Sequence, residues 1–358
     1  MRQDLSTKLT TAIFVVFLCS GHAVAQSVPT DLLDVSIEDL LQANVISKFD
    51  ETTRAKRWSL AYSYQASVFR DYYIDDSKVS AQGLVWDKAP GPKPIDQYLA
   101  ITPEIIQEVH GLFLAYDWDD TYTLRFIAPL ISQTTDHSTV IPGFSRFDTE
   151  THGLGDLQLG VDTTLARTVN SQIRLGVGLN LPTGSVDERG NTPQGENKPL
   201  PYTMQMGSGT FDIPLNLHYA KSESRYRWGG GVSGVYRMGE NAQGYRLGHR
   251  FGMDAWAHLT NFSGFEPGIR LGYQYQGQIE GQDKRFNVPD AFGGYPTPVL
   301  DPDTYGGETV DLAVFVRLPI WDSTVFMDAE YTKPIYLNLN GPQVATSYHF
   351  ALTFSTAF

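Results

Sequence analysis

The sequence lacks two features on which many folds depend: pairs of cysteines and long apolar segments. One cysteine, Cys19, occurs among 358 residues, so no internal disulfide framework can stabilise the chain. No stretch after the N-terminus approaches the roughly twenty consecutive apolar residues of a transmembrane helix. The net charge is −13. An acidic surface repels phosphate, so we expect no nucleic-acid partner.

The first 25 residues are predicted to form a secretory signal peptide. Arg2 and Lys8 flank a polar start, and the short apolar run 9–19 follows. The small residues Ala23 and Ala25 are typical of a cleavage site. The apolar run is too short to span a bilayer as a helix, so we expect the chain to be exported.

Residues 26–57 are predicted to form a periplasmic segment that carries an amphipathic helix over 31–45. Ser36 and Asp39 have the spacing of a capping box, and leucine and isoleucine side chains make an apolar stripe along one face. We expect this helix to pack against the mouth of the domain that follows. The alternative is a plug or a partner-docking segment.

From residue 58 to the C-terminus the sequence alternates between apolar and polar side chains, which is the signal of strands. The last segment shows it best. One phase is aromatic and aliphatic, and the other, which includes His349 and Thr353, is small and polar. The apolar phase, with its terminal aromatic residue, also resembles the assembly signal of outer-membrane proteins, so we expect the barrel-assembly machinery and outer-membrane lipid as partners. Its members are Tyr348, Phe350, Leu352, Phe354 and Phe358.

Segments of this kind recur about twelve times, separated by alternately short and long connections. They are 58–70, 105–117, 121–132, 153–166, 171–182, 209–220, 225–238, 245–259, 265–280, 308–320, 324–336 and 344–358. The long connections are 71–104, 133–152, 183–208 and 281–307. Short periplasmic turns, long outer loops and an even strand count are typical of bacterial barrels. The sequence therefore predicts an all-β fold, a transmembrane antiparallel β-barrel over 58–358. The second segment gives no clean choice of face.

If the apolar phase faces lipid, the opposite phase lines the barrel interior and carries charges of both signs. The basic candidates are Arg174, Arg227, Arg237, Arg250, Arg270 and Arg317. The acidic candidates are Asp156, Asp162, Asp212, Asp254, Glu266 and Asp311, together with Asp328 and Glu330. Buried charges must be paired or hydrated. These residues could therefore form an ion-pair network that stiffens a narrow barrel, or a ladder that selects solutes.

Two other classes of function are compatible with a barrel. A lipid-cleaving barrel enzyme needs a nucleophile and a histidine facing lipid, whereas Ser347 and His349 fall in the interior phase. A structural or adhesive barrel could bind calcium through oxygen-rich outer loops that contain Asp301 and Asp303. Hydrated acidic loops are the simpler explanation of these residues. We predict no enzyme activity.

Metal and cofactor sites are not indicated by the sequence. None of the histidines after the predicted signal peptide shows the close spacing of a zinc site. The methionines form no rich tract that would indicate copper handling. We therefore expect neither a metal nor a cofactor.

Four motifs go beyond general barrel patterning. They are GLGD at 153–156, LPTGS at 181–185, MGSGTFD at 206–212 and LNGPQ at 339–343. Together they resemble the outer-membrane transporters grouped with the meta-pathway of phenol degradation. The resemblance implies an outer-membrane barrel that moves small, aromatic or hydrophobic solutes, and it supplies no site residues. From the residues alone, the glycines permit bulges and corners, and Pro182 and Pro342 would stop strands at the rim.

Overall fold

The structure is a computed structural model. It describes residues 57–86, 94, 96–260, 262, 264–286, 294–320 and 324–358. The predicted signal peptide and the predicted amphipathic helix therefore lie outside the described residues. Within the described ranges, no helix is long and apolar enough to cross a membrane.

Antiparallel strands make up nearly all of the regular structure. In chain order they are β1 (Trp58–Asp75), β2 (Ser77–Val79), β3 (Ala100–Asp117), β4 (Tyr122–Thr139), β5 (Arg146–Leu154), β6 (Leu157–Arg167), β7 (Ser171–Leu181), β8 (Arg189–Thr192), β9 (Gly195–Pro199), β10 (Phe211–Ser222), β11 (Tyr226–Met238), β12 (Tyr245–Arg246), β13 (Arg250–Leu259), β14 (Glu266–Gln276), β15 (Glu280–Gly281), β16 (Gly307–Ile320) and β17 (Val325–Ala357). In the described part of the chain, short 3₁₀ turns lie in the connections at Ala81–Leu84, Tyr202–Met204, Pro298–Leu300 and Pro302–Thr304.

Eleven of these strands form a closed sheet. Hydrogen-bonded neighbours run in the order β17, β16, β14, β13, β11, β10, β7, β6, β4, β3 and β1, and β1 then pairs with β17 to close the barrel. Trp58 and Phe358 exchange backbone hydrogen bonds of 3.1 and 2.9 Å at this seam. Within the described residues, closure gives each of these eleven strands a hydrogen-bonded neighbour on both sides, which is what a wall in hydrocarbon requires. The prediction of an antiparallel barrel is confirmed.

Strand β17 is 33 residues long and folds back on itself. Its first part pairs with β16 up to Leu339, and its second part pairs with β1 from Leu339 onward. Tyr331 stacks on Tyr348 at 5.9 Å, and Thr356 Oγ1 donates to the Thr324 carbonyl at 2.9 Å. The two arms, 325–339 and 340–357, are therefore neighbours, and the chain passes along the wall twelve times. The two strands that the sequence predicts here are these arms.

The predicted long connection at 133–152 is wrong. Strand β4 continues to Thr139 and β5 begins at Arg146. In this part of the wall the inward side chains are polar, including the buried Gln133 and Thr135. The segment therefore has no apolar face. Since apolar–polar alternation is the signal of a strand, its absence predicts a loop here. The predicted strand 245–259 is also divided, because β12 ends at Arg246 and β13 begins at Arg250.

The two phases of each strand separate as the alternation predicts. On β10, Leu215 and Leu217 are 44% and 39% exposed, whereas Asn216 between them is 3% exposed. On the last arm of β17, His349, Ala351 and Thr353 are buried. Successive side chains of a strand point to opposite faces. The exposed apolar phase therefore faces outward, and the polar phase faces the barrel interior.

Strand β3 departs from this separation, which is why its sequence gives no clear choice of inward face. Val109 and Phe113 are buried inside, so Glu108 and His110 of the other phase face outward. Each is satisfied by a tyrosine of β1: Tyr64 donates to Glu108, and Tyr62 hydrogen bonds His110 Nδ1 at 2.7 Å. Both faces of β3 thus mix apolar and polar side chains.

Candidate functional site

The barrel interior has one wall that is rich in charge. This charged wall comprises the inner faces of β6, β7, β10, β11, β13, β14, β16 and the first arm of β17, and each contributes at least one buried charged side chain. The buried members are Asp162, Arg174, Asp212, Arg237, Arg250, Arg270, Asp311, Arg317, Asp328 and Glu330. Four further residues named by the sequence, Asp156, Arg227, Asp254 and Glu266, are partly buried.

Several of these charges form direct ion pairs between strands of the wall. Arg237 Nη1 lies 2.5 Å from Asp212 Oδ2, and the two side chains are 4% and 0% exposed. Arg270 pairs with Glu330. Paired charges in a dry interior hold strands in register, and removing one partner leaves the other at high cost. Direct ion pairs of this kind are what a stiffening network requires, and the choice between that network and a selective ladder stays a prediction.

Other members of the charged wall contact neutral groups. Arg174 Nη2 donates to Thr123 Oγ1 at 3.1 Å, and the Arg317 guanidinium lies 4.0 Å from the centre of the Phe326 ring. Glu266 Oε2 is 3.6 Å from His258 Nδ1. The wall therefore combines ion pairs, hydrogen bonds and a cation–π contact.

The facing part of the interior is neutral. This neutral wall comprises the inner faces of β1, β3 and the second arm of β17. Between the strand ends near Trp58 and Phe358 and the level of Ser67, the buried side chains of this wall include no acid, lysine or arginine. They are Ser59, Ala61, Ser63, Gln65, Ser67, Gln107, Val109, Phe113, His349, Ala351, Thr353 and Ser355. An apolar patch of Ala61, Val109 and Phe113 continues onto Ile127 and Ile131 of β4. The lumen is thus two-sided.

A connecting segment enters the barrel between these walls. We call residues 200–208 the plug segment. Leu200, Tyr202 and Met204 are 0% exposed. Gln133, which points inward from β4, donates through Nε2 to the Thr203 carbonyl at 2.7 Å and lies 3.1 Å from Met204 Sδ. The plug segment therefore packs on the inner wall and occupies the lumen.

Asp156 holds the plug segment to the wall. Its carboxylate accepts from Gly184 N at 2.9 Å and from Ser208 N and Ser208 Oγ at 2.8 Å each. Thr183 Oγ1 adds a hydrogen bond to the Gly155 carbonyl at 2.8 Å. Three of the four sequence motifs, GLGD, LPTGS and MGSGTFD, therefore meet at one carboxylate. Asp156 is a clamp for loops and forms no ion pair with a lumen arginine among the described contacts.

Two motif glycines are required by close backbone packing. A Cβ on Gly184 would lie 2.6 Å from the Met206 carbonyl oxygen and 2.7 Å from Gly207 Cα. A Cβ on Gly207 would lie 2.4 Å from Asp156 Oδ1. Any larger residue would separate the two backbones. The glycines that the sequence assigns to barrel shaping thus permit the plug segment to dock.

The fourth motif anchors a second loop. Asn340 Nδ2 donates to the Tyr305 carbonyl at 2.8 Å, and Gln343 Nε2 donates to the Gly306 carbonyl at 2.7 Å. Pro182 follows the end of β7, as predicted, but Pro342 lies at the fold-back of β17, inside a single assigned strand.

Aromatic side chains from three loops close over the plug segment. Tyr202 makes edge contacts with Tyr245, Phe286 and Tyr305, with ring centres 4.8 to 5.7 Å apart. Leu247 and Ile279 complete the cluster. Burial raises the pKa of the Tyr202 phenol, which therefore stays neutral at physiological pH. The outer loops form a packed lid.

One arginine ties two of these loops together. Arg285 makes a two-point contact with Asp283, with Nε–Oδ1 and Nη2–Oδ2 distances of 2.9 and 2.5 Å. It also pairs with Asp187 and donates to the Val186 carbonyl at 2.9 Å. The connection before β8 and the connection after β15 therefore share one cationic bridge.

The histidine that a lipid-cleaving site would need does not face lipid. His349 is 0% exposed and hydrogen bonds Ser67 at 2.8 Å inside the barrel. Ser347 lies at an irregularity in the register between β1 and β17, where Val68 pairs with Tyr348 and Phe69 with Thr346. The two residues do not form a nucleophile–base pair on the lipid side.

The predicted assembly signal occupies the seam. Tyr348, Phe350, Leu352 and Phe354 alternate with buried residues on the last arm, and Phe358 is 60% exposed at the rim. They remain candidates for recognition by the assembly machinery.

Among the described residues, no group of three or more histidines, cysteines or acids is placed to hold a metal. Asp301 accepts from Asp303 N at 3.1 Å and caps a 3₁₀ turn, so at least one of the two loop acids has a local structural role.

Sequence reasoning named Asp156 as an interior residue but missed its role as the clamp, and it missed Gln133, Tyr202 and one interior arginine. Arg125 lies 3.3 Å from Asp162 and is buried, and its position in the polar phase of β4 could have revealed it. Gln133 and Tyr202 gave no comparable signal, because neither a buried loop nor its wall contact has a periodicity.

The closed antiparallel wall with an apolar exterior and a charged, loop-filled lumen defines an outer-membrane β-barrel. The model of the family described under the MetA-pathway of phenol degradation matches residues 97–294, more than half of the chain. The chain belongs to this family.

Solved structures with the same fold include the COG4313 outer membrane channel from Pseudomonas putida F1, with a TM-score of 0.55 and 16% identity over 85% of this chain and 96% of that one. A Pseudomonas aeruginosa FadL homologue matches with a TM-score of 0.39 and 11% identity over 85% and 91%. The transport unit of the autotransporter AIDA-I from Escherichia coli matches with a TM-score of 0.43 and 8% identity over 89% and 96%. No curated protein matches the chain in sequence.

Proposed function

We propose that this protein is an outer-membrane channel for small, aromatic or hydrophobic solutes, and that the structure is its closed state. The observation that carries the proposal is the plug segment, fully buried inside the barrel and clamped by Asp156. The family membership and the fold shared with an outer membrane channel support the same class. Opening would require the clamp to release.

The clamp is suited to reversible release. It consists of three hydrogen bonds to one carboxylate, each of which contributes about 1.5–3 kcal/mol when one partner is charged. Water can replace such bonds once the segment moves, whereas the ion pairs of the charged wall remain in the barrel. The plug segment can therefore leave without dismantling the wall.

The test is single-channel conductance in planar bilayers. Asp156→Ala removes the acceptor of all three hydrogen bonds, so we expect frequent or permanent open steps where the unaltered protein is mostly silent. Glu150→Ala is the matched control, since Glu150 is an exposed acid on adjacent β5. Silence of the Asp156 variant, with its barrel shown to be folded by resistance to dodecyl sulfate, would contradict the proposal.

The solute preference is proposed from the two-sided lumen. The apolar patch on the neutral wall would accept a ring or a short chain, and the lumen elsewhere is too charged to favour fully apolar molecules. Lipid and the barrel-assembly machinery are the proposed partners in the membrane, on the strength of the outward apolar phase and the terminal aromatic residues.

A further inference from the structure

Two polar atoms on the neutral wall have no hydrogen-bond partner among the described residues. They are Gln65 Oε1 and His349 Nε2. The side chains are 1% and 0% exposed. Buried polar atoms are nearly always satisfied, so these two atoms on one wall are available to a polar group that enters the lumen.

The two side chains lie close together on the sheet. Ser67 pairs with His349, and Gln65 pairs with Ala351. Gln65 and His349 are therefore diagonal neighbours on the same face, about 7–8 Å apart at their Cα atoms. Both side chains are long enough for one small group to contact the two orphan atoms together.

The chemistry of the orphan atoms selects a hydroxyl group. Ser67 Oγ hydrogen bonds His349 Nδ1 at 2.8 Å. With the serine hydroxyl as the donor, the proton of the neutral imidazole is on Nε2. A hydroxyl can accept from this N–H and donate to Gln65 Oε1 at once. A carboxylate would face the amide oxygen, and an ammonium would face the N–H.

The surroundings select a neutral apolar body for that hydroxyl. Gln65 pairs across the sheet with Val109, which clusters with Phe113 and Ile127. The cross-strand neighbours of the two side chains on this wall, Ala351, Val109 and Ser67, carry no charge. An ionised carboxylate would lose hydration here while it faced the Gln65 amide oxygen.

We propose that Gln65 and His349 form a solute-binding subsite for a neutral aromatic molecule that carries one hydroxyl group. The proposal rests on the proposed channel function and specifies its solute. The subsite is covered in the closed state. Gln107, the cross-strand neighbour of Ser67, donates to Gln133 at 3.0 Å, and Gln133 donates to the plug segment. The plug segment is therefore bonded next to this part of the wall, and we expect its release to make the subsite accessible.

The experiment measures binding of phenol, toluene and benzoate by equilibrium dialysis in one detergent. The protein carries Asp156→Ala to open the lumen, and the unaltered protein is measured beside it. We expect phenol to bind, and Gln65→Leu to weaken phenol binding about tenfold without changing toluene binding. Benzoate should bind weakly throughout.

The matched control is Gln172→Leu. Gln172 is also a buried inward glutamine with an unpartnered Oε1, but it lies on β7 in the charged wall, so this change should not affect phenol binding. His349→Gln, which keeps a donor, provides a second variant if Gln65→Leu does not fold, and we expect partial retention of binding.

Equal effects of the Gln65 and Gln172 changes, or equal losses for phenol and toluene, would overturn the subsite. Proteoliposome uptake of a membrane-impermeant sugar distinguishes this failure from failure of the channel. Uptake through the Asp156 variant with no Gln65-dependent phenol binding would refute the subsite alone. No uptake through any folded variant would refute the channel.

Discussion

The two walls line the lumen with opposite kinds of side chain. The charged wall places buried acids and arginines opposite one another, as in the pair of Asp212 and Arg237. The neutral wall uses small hydroxyls, amides and an apolar patch, as in the hydrogen bond of 2.9 Å between Ser63 and Thr353. The charged wall fixes strand register through costly, specific partners, whereas the neutral wall leaves surface that a solute can contact.

The largest effect should follow from breaking a pair in the charged wall. Arg270→Leu leaves Glu330, which is 3% exposed, without this cation, and we expect about 3–5 kcal/mol of destabilisation. Urea unfolding in lipid vesicles measures it. The double change Arg270→Leu with Glu330→Leu should recover most of the loss. If Arg270→Leu lowers the free energy of unfolding no more than Thr353→Val in the neutral wall, the contrast between the two walls is wrong.

The plug segment should respond next. Gly184→Val places side-chain atoms against the Met206 carbonyl and Gly207, so the docked segment must shift outward. We expect open-channel events without loss of the barrel, measured by conductance together with heat-modifiable mobility on gels. Gly143→Val, at a glycine with no atom near its Cβ position, controls for loop changes, although its positive φ of 84° adds local strain.

Removing one hydrogen bond from the neutral wall should destabilise the barrel less than breaking an ion pair in the charged wall. Thr353→Val removes the partner of Ser63 while keeping the side-chain shape, and we expect about 1 kcal/mol of destabilisation in the same urea experiment. A cost of several kcal/mol would show that the neutral wall is also a tightly coupled network.

The smallest effect is expected outside the lumen. Lys78 pairs with Asp71 at 2.6 Å, and the two side chains are 57% and 52% exposed. Exposed pairs contribute roughly 0–1 kcal/mol and are screened by salt. Lys78→Ala should therefore leave both the unfolding midpoint and the conductance unchanged within error.

The sequence by itself determined the wall of this protein. An apolar–polar period of two is a local property, because successive side chains of any strand point to opposite faces. The alternation around Leu215 and Asn216 therefore predicted strand, face and lumen side together. It predicted β3 as a strand but gave no inward face for it, because Glu108 and His110 break the apolar phase, and it missed the strands within 133–152, where that phase is absent.

Tertiary structure decided what fills the barrel. The motif residues Asp156, Gly184 and Ser208 lie far apart in the chain and show no shared period, yet three backbone segments meet at them. The division of the lumen into a charged and a neutral wall likewise depends on which strands become neighbours. Each strand and its place in the chain can be recognised from the local sequence. Closure of the sheet, insertion of the plug segment and the diagonal placement of Gln65 beside His349 arise only when the sheet curves into a barrel.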